Sequence, residues 1–210
     1  MDRDEVWQEI NAHRERVVAM LEALSQDEWT QPSLCDGWTV RDVAGHLAWQ
    51  NTARPLALLP AMIRARGNMD RLIRDESVRW ARRPIPQLIT DVRALIGTRK
   101  KPPVVTHLEQ LIDILVHSQD IAVPLDRQLP LSAEAAATAA SRVMALGVPW
   151  YAAKKYAGLR FAATDTSWTY GDGPTVEGPI DAILLVLTGR PVALPRLSGA
   201  GVADLTARVS

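Results

Sequence analysis

The chain has 210 residues, in which 24 Lys plus Arg are balanced by 24 Asp plus Glu. It lacks the excess positive charge that draws proteins to phosphate backbones, so nucleic acid is not an expected partner. Apolar residues make up 47% of the sequence, enough for a substantial core, yet the longest apolar runs, such as Ile183 to Leu187, fall far short of the ~18 residues a bilayer span needs. With one cysteine, no internal disulfide, and a charged start, MDRDEVWQEI, without a signal-type apolar stretch, the expectation is a soluble, cytoplasmic protein with no membrane association.

Residues 3 to 24 carry Val6, Ile10, Val17, Leu21 and Leu24 at spacings of three, four and seven, the stripe of an amphipathic helix, with Asp2 and Glu5 placed to cap its start. Ser25 and Glu28 repeat the capping spacing, and Pro32, Cys35, Asp36 and Gly37 mark a turn-rich connection. Thr39 three before Asp42 then opens a second helix, whose buried stripe is Val40, Val43, Ala44 and Leu47. Pro55 and Pro60 limit how cleanly that helix continues. Asp70 to Trp80 and Pro86 to Ile96 read as helices broken by Arg82, Arg83 and Pro84, and a basic loop, TRKKPP, follows.

Thr106 to Val123 is the strongest helical pattern, with Leu108, Leu111, Ile112, Leu115 and Val116 on one side and Pro124 as the stop. Ser132 caps an alanine-rich helix running through Leu146, ended by Gly147 and Pro149. Beyond Gly158 the pattern changes: Leu159 to Ala163 and Ser167 to Tyr170 read as a β-hairpin. Gly178 and Pro179 open a last clear helix, Ile180 to Leu187, and the tail holds one more helical turn. The expected fold class is mainly α, with a helical bundle over residues 1–150 and a small α+β appendage over 151–210.

Asp113 and His117 are four apart and share one face of the strongest helix, about 40° from each other at ~100° per residue; Gln110 lies on the same stripe. A carboxylate and an imidazole one turn apart can grip a divalent cation because their donor atoms converge without bending the backbone. One helix supplies only two ligands. His46 is the natural third, since His13 sits in the highly charged HRER, which reads as solvated, and His107 lies off the stripe. Such polar stripes are also what any amphipathic helix presents to solvent, and spacing by itself does not separate the two readings. Gly45 beside His46 points first to tight helix packing.

The run SLCDGWTVRDVAGHLAWQ, followed further on by DILVHSQDIAVPL, resembles two signature segments of the mycothiol-dependent maleylpyruvate isomerase family within the DinB-like superfamily. The stretch FAATDTSWTYGDGPTVEGPIDAILLVLTGRP, with LSGAGVADL after it, resembles the small C-terminal region of such proteins. The resemblance implies a four-helix core binding one divalent metal, most simply zinc, through His46, Asp113 and His117. The isomerase has a glutamate where this chain has Asp113. The implied activity is metal- and mycothiol-dependent isomerisation or thiol transfer on a small electrophilic substrate, with mycothiol or another low-molecular-weight thiol as partner.

Three protein ligands leave an open position, where a bound thiol would become a thiolate and a bound water would point instead to hydrolysis. The competing readings are therefore a metal-dependent hydrolase and a non-catalytic metal- or ligand-binding regulatory module. Around the three residues, Asp120 can orient the His117 imidazole, although pairing with solvent or Arg127 is the preferred assignment. Arg190, in GRP after the last helix, is a candidate for contacting the polar groups of a thiol cofactor. Cys35 reads as a buried structural thiol without an adjacent base, and Trp38 and Trp49 flank His46 as walls of a pocket or as core.

Overall fold

The structure, a computed structural model, describes residues 1–49, 55–102 and 105–209. Pro103, the last residue of TRKKPP, lies outside the described residues. The first helix, α1 (Arg3–Glu22), begins in a reciprocal cap: the Asp2 side chain accepts from the Glu5 amide at 2.9 Å, and the Asp2 amide donates to the Glu5 carboxylate at 2.6 Å. Ser25 and Glu28 form the same exchange, but it starts only a 3-10 turn, Glu28–Thr30. Thr39 and Asp42 cap α2 (Val40–Trp49), with the Thr39 amide 2.9 Å from the Asp42 carboxylate. Three further helices follow: α3 (Pro55–Arg64), with Pro60 inside it, α4 (Met69–Ala81) and α5 (Ile85–Arg93).

The helix α6 (His107–Ala122) starts in a Thr106–Glu109 capping box. It packs on α1 and α2, which in turn pack on α5, so α1, α2, α5 and α6 close into a four-helix arrangement. Along α2 lies α4. The contact is close because Gly45 has no side chain: a β-carbon there would stand 2.5 Å from the Ser77 carbonyl and 2.8 Å from the Ala81 amide nitrogen. Helix packing is thus the role of that glycine, as its spacing suggested.

On the far side of α6 sit α7 (Ala133–Ala145), capped by Ser132, and then the short α8 (Ala152–Lys155). The C-terminal part contains β1 (Arg160–Ala163) and β2 (Thr169–Tyr170), the expected antiparallel hairpin with Phe161 opposite Tyr170. It also contains a strand that alternation did not reveal, β3 (Thr175–Gly178), which pairs parallel to β1 in the order β2-β1-β3. Four residues, with Gly178 at the end, are too few for a period-two signal to emerge. The helix α9 (Ile180–Leu187), apolar but for Asp181 in its first turn, packs on α7, and α10 (Val202–Val209) is two turns long, against the single turn expected. Buried side chains from Val6 to Leu205 form a main cluster, with a smaller second one of Trp49, Ala61, Ala65 and Leu72. Among the described residues no helix is long and apolar enough to cross a membrane.

Candidate metal centre

Each of the three expected ligands is placed by its helix. His46 projects from the α2 face that packs on α4, 6% exposed, while Asp113 and His117 project from successive turns of α6. His46 Nε2 stands 3.2 Å from Asp113 Oδ1, His117 Nε2 stands 3.7 Å from the same oxygen, and the two imidazole centroids are 4.7 Å apart. One donor atom from each residue lies within 4.8 Å of the other two. A tetrahedral zinc with bonds near 2.1 Å separates its ligand atoms by about 3.4 Å, so the donor set fits a cation of that size. The shorter aspartate does reach: its oxygen is the atom both histidines approach.

The second nitrogens of the two histidines are also engaged. His117 Nδ1 donates to Asp120 Oδ2 at 2.8 Å, and His46 Nδ1 lies 3.2 Å from Ser77 Oγ. Hydrogen bonds of this kind orient a ligating imidazole and select which nitrogen is left to coordinate. Pairing of Asp120 with solvent or Arg127 is not what the fold does. Arg127 forks onto Glu28, and Asp120 is fully buried, gripped by Arg190 through Nε to Oδ1 at 2.9 Å and Nη2 to Oδ2 at 2.6 Å.

Charge follows from these contacts. Burial works against a charged imidazole at His117, but the bond to Asp120, with Cys35 and Asp113 nearby, outweighs it and pushes the group up to about 10. Burial likewise lowers His46, and there the Asp113 carboxylate only partly opposes it. For Asp120 burial favours the neutral acid, yet His117 and Arg190 hold the carboxyl well below the usual range. A cation binding at this centre therefore displaces a proton from His117.

Cys35 is not the buried structural thiol expected. It is half-buried on the wall of the site, with Sγ 3.0 Å from Asp120 Oδ2 and 3.7 Å from both His117 Nδ1 and Arg190 Nη2. Its lack of an adjacent base in sequence meant nothing, because the bases come from α6. Cys35, His117 and Asp120 also form a geometrically possible ligand group. Two cationic neighbours of Asp120, with its carboxylate already bonded to both, argue against a metal there.

His46, Asp113 and His117 open onto a cleft of about 560 Å³, whose lining includes Cys35, Trp38, Asn68, Asp70, Arg71 and Arg74. Trp38 packs tilted against His46 at 5.6 Å, and Trp49 flanks the other side at 6.3 Å, so only Trp38 also lines the cleft. Gly37, in the left-handed region at φ +70°, makes room for Arg74, whose Nη2 would meet a β-carbon there at 2.8 Å. Gln110 is buried and lines, with Arg14 and Asp113, a small hollow behind the ligand carboxylate. His13, expected in solvent, is fully buried between α1 and α6, where Ser118 Oγ meets its Nε2 at 2.7 Å. His13 and Arg14 both fall on the inward side of α1, and Glu15 is the exposed member of HRER.

Residues 10–101 match the family model described as the mycothiol maleylpyruvate isomerase N-terminal domain, a span that holds α2 and His46 and ends before α6. The chain is similar to a crystal structure of a histidine-to-alanine mutant of the mycothiol-dependent maleylpyruvate isomerase, at 14% identity and a TM-score of 0.62, over 95% of this chain and 93% of that one. A second structure of the mycothiol-dependent maleylpyruvate isomerase matches at 14% identity over the same shares, with a TM-score of 0.49. No curated protein matches the sequence. The fold this chain has is a mainly α bundle with a small α+β appendage, shared with the first of those structures.

Proposed function

We propose, from the isomerase-type domain in residues 10–101, that the protein uses a divalent metal, most simply zinc, to activate mycothiol or a similar low-molecular-weight thiol against a small electrophile. His46, Asp113 and His117 are the proposed ligands. The observation that carries this is the convergence of two Nε2 atoms on one carboxylate oxygen, at 3.2 and 3.7 Å, in a cleft open to small molecules. When bound, such a cation supplies the Lewis acidity that favours thiolate over thiol at neutral pH.

The chain's own residues do the rest. Asp120 accepts the His117 Nδ1–H and so orients the ring with Nε2 toward Asp113 and the cleft. Trp38 forms an apolar wall beside His46 and restricts water around the reacting atoms. Arg74, beside Gly37 in the cleft lining, is the proposed contact for a negatively charged group of the substrate, since Arg71 is paired with Asp75 and Asp70 also lines the cleft. We propose a division near residue 150, in which residues 1–150 supply the metal ligands and 151–210 supply Arg190. That arginine closes onto Asp120 and carries Nη2 to 3.7 Å from Cys35, at the edge where a thiol cofactor would lie.

His117→Ala should abolish zinc binding, measured by elemental analysis of protein purified without chelator or histidine tag; equal zinc in wild type and variant removes the ligand assignment. Mycothiol added to a cobalt-substituted sample should shift its absorption spectrum through sulfur ligation. An unchanged spectrum would favour a hydrolase or a non-catalytic binding module, the latter motivated by the aspartate at position 113.

A further inference from the structure

Arg14 is a buried cation that no carboxylate touches. It lies on the inward side of α1, 2% exposed, and among the described residues no Asp or Glu oxygen comes within 4 Å of its guanidinium. Its Nη1 donates to the Leu95 carbonyl at 2.7 Å and to the Thr98 carbonyl at 3.1 Å, just beyond the end of α5, and stands 3.1 Å from Asn11 Oδ1. These acceptors crowd one nitrogen. Nε and Nη2 meet none among the described residues, on a side chain that can only donate. Burial draws the guanidinium down to about 10, so it stays charged at neutral pH, and the charge that works against the shift is the Asp113 carboxylate.

The hollow behind Asp113 joins the two. Its volume is about 10 Å³, its polar wall is Arg14, Gln110 and Asp113, and aliphatic side chains such as Leu47 and Val92 close the rest. A hollow of that size holds about one water, provided polar partners surround it. This one offers a cation, an amide and a carboxylate. A dry hollow here would leave a buried guanidinium short of acceptors, which costs far more than ordering a single water.

We infer that one water occupies this hollow and bridges the Arg14 guanidinium to the Asp113 carboxylate, with the Gln110 amide as its third partner, which makes Arg14 a positioning residue for Asp113. The water accepts from the guanidinium, donates to the carboxylate and completes its bonds on Gln110, whose amide can serve as donor or acceptor. No proton changes hands. Arg14 is pinned to the end of α5 through Nη1, so the bridge holds Asp113 from a fixed point and resists rotation of the carboxylate, whose Oδ1 is the atom both Nε2 groups approach. Capping α5 is the other role open to Arg14, and it uses Nη1 alone. The bridge stands whether or not a metal binds; only its bearing on coordination rests on the ligand assignment above.

The test starts with wild-type protein freed of metal by a chelator. A high-resolution crystal structure should show one water in the hollow, within hydrogen-bonding distance of Arg14, Gln110 and Asp113, and magnetic relaxation dispersion should count it among the long-lived waters in solution. A dry hollow, or a water that bonds to only one of Arg14 and Asp113, overturns the inference. In Arg14→Met the long-lived water should disappear and the Asp113 carboxylate should turn, lengthening its 3.2 Å contact with His46. A folded Arg14→Met that keeps either the water or the Asp113 orientation reduces Arg14 to a cap on α5. Gln110→Leu leaves the α5 contacts of Arg14 in place and puts a methyl group into the hollow, so it should expel the water; a folded Gln110→Leu that retains it also overturns the bridge, and this variant serves if Arg14→Met does not fold. Zinc content of the chelator-free wild type is read separately: absence of zinc removes the ligand assignment and leaves the water bridge to be decided by the metal-free structure.

Discussion

Two buried histidines that face different sides of α6 each meet a serine hydroxyl, and they differ in what meets the other ring nitrogen. Ser118 donates to the Leu115 carbonyl at 2.8 Å, as Ser77 donates to that of Ile73, and each serine oxygen lies within hydrogen-bonding distance of a histidine: His13 Nε2 in one case and His46 Nδ1 in the other. The difference lies at the far nitrogen. His13 Nδ1 faces the Arg16 guanidinium at 2.9 Å, which donates to it, so the ring is satisfied, neutral and closed to further chemistry. The far nitrogen of His46 instead faces the Asp113 carboxylate at 3.2 Å, on the wall of an open cleft. Burial gives histidine no role of its own; the charge opposite its free nitrogen does.

The comparison predicts where the molecule is sensitive. The largest effect should follow Asp120→Asn, which leaves the buried Arg190 without its anion and weakens the hold on His117. Stability should fall by about 3–5 kcal/mol in urea denaturation, and zinc affinity by on the order of 10–100-fold. If stability falls while zinc affinity does not, Asp120 belongs with the His13 side of the molecule, as a structural group.

A smaller effect is expected from pH. Burial, and then the Arg16 charge, push His13 from 6.5 down to about 3. Between those values the unfolded chain binds a proton that the folded chain refuses. The stability this residue allows is therefore complete above pH 6.5 and falls as pH drops toward 3, by roughly 1.4 kcal/mol per pH unit. His13→Gln should flatten the acid limb of the stability profile between pH 6 and 4, and an unaltered slope would mean that His13 is not the group responsible.

The smallest effect sharpens the contrast between the serines. Ser118→Ala leaves His13 Nε2–H without an acceptor and should cost about 1–2 kcal/mol, with zinc affinity at the wild-type value. Ser77→Ala should show the reverse weighting. Equal losses of zinc affinity in the two variants would erase the distinction between a structural and a functional histidine here.

Much of this molecule was legible in the sequence, for a local reason. Capping boxes at Asp2 and Glu5 and at Thr39 and Asp42, the apolar stripe of α6 and the Gly178–Pro179 start of α9 are set by side chains within four residues of the backbone they satisfy. The pairing of Asp113 with His117 is equally local, since one helical turn brings them together, and His46 followed from the resemblance and from the small number of histidines left. What escaped was everything settled between helices. Nothing in HRER says that His13 turns inward, and nothing in CDGW says that its thiol meets Asp120 and Arg190, 85 and 155 residues away.

The sequence by itself thus determined most of the helices, several of their ends and the pairing of Asp113 with His117 on one face, because helix formation and i to i+4 proximity are short-range consequences of backbone geometry. Only the tertiary structure decided which histidine meets a carboxylate and which meets an arginine, where the Asp120–Arg190 pair closes, and which way the Ser77 hydroxyl points. Those outcomes depend on how closely helices distant in sequence approach. At Gly45 that approach is set by a missing side chain, whose effect appears only when α2 meets α4.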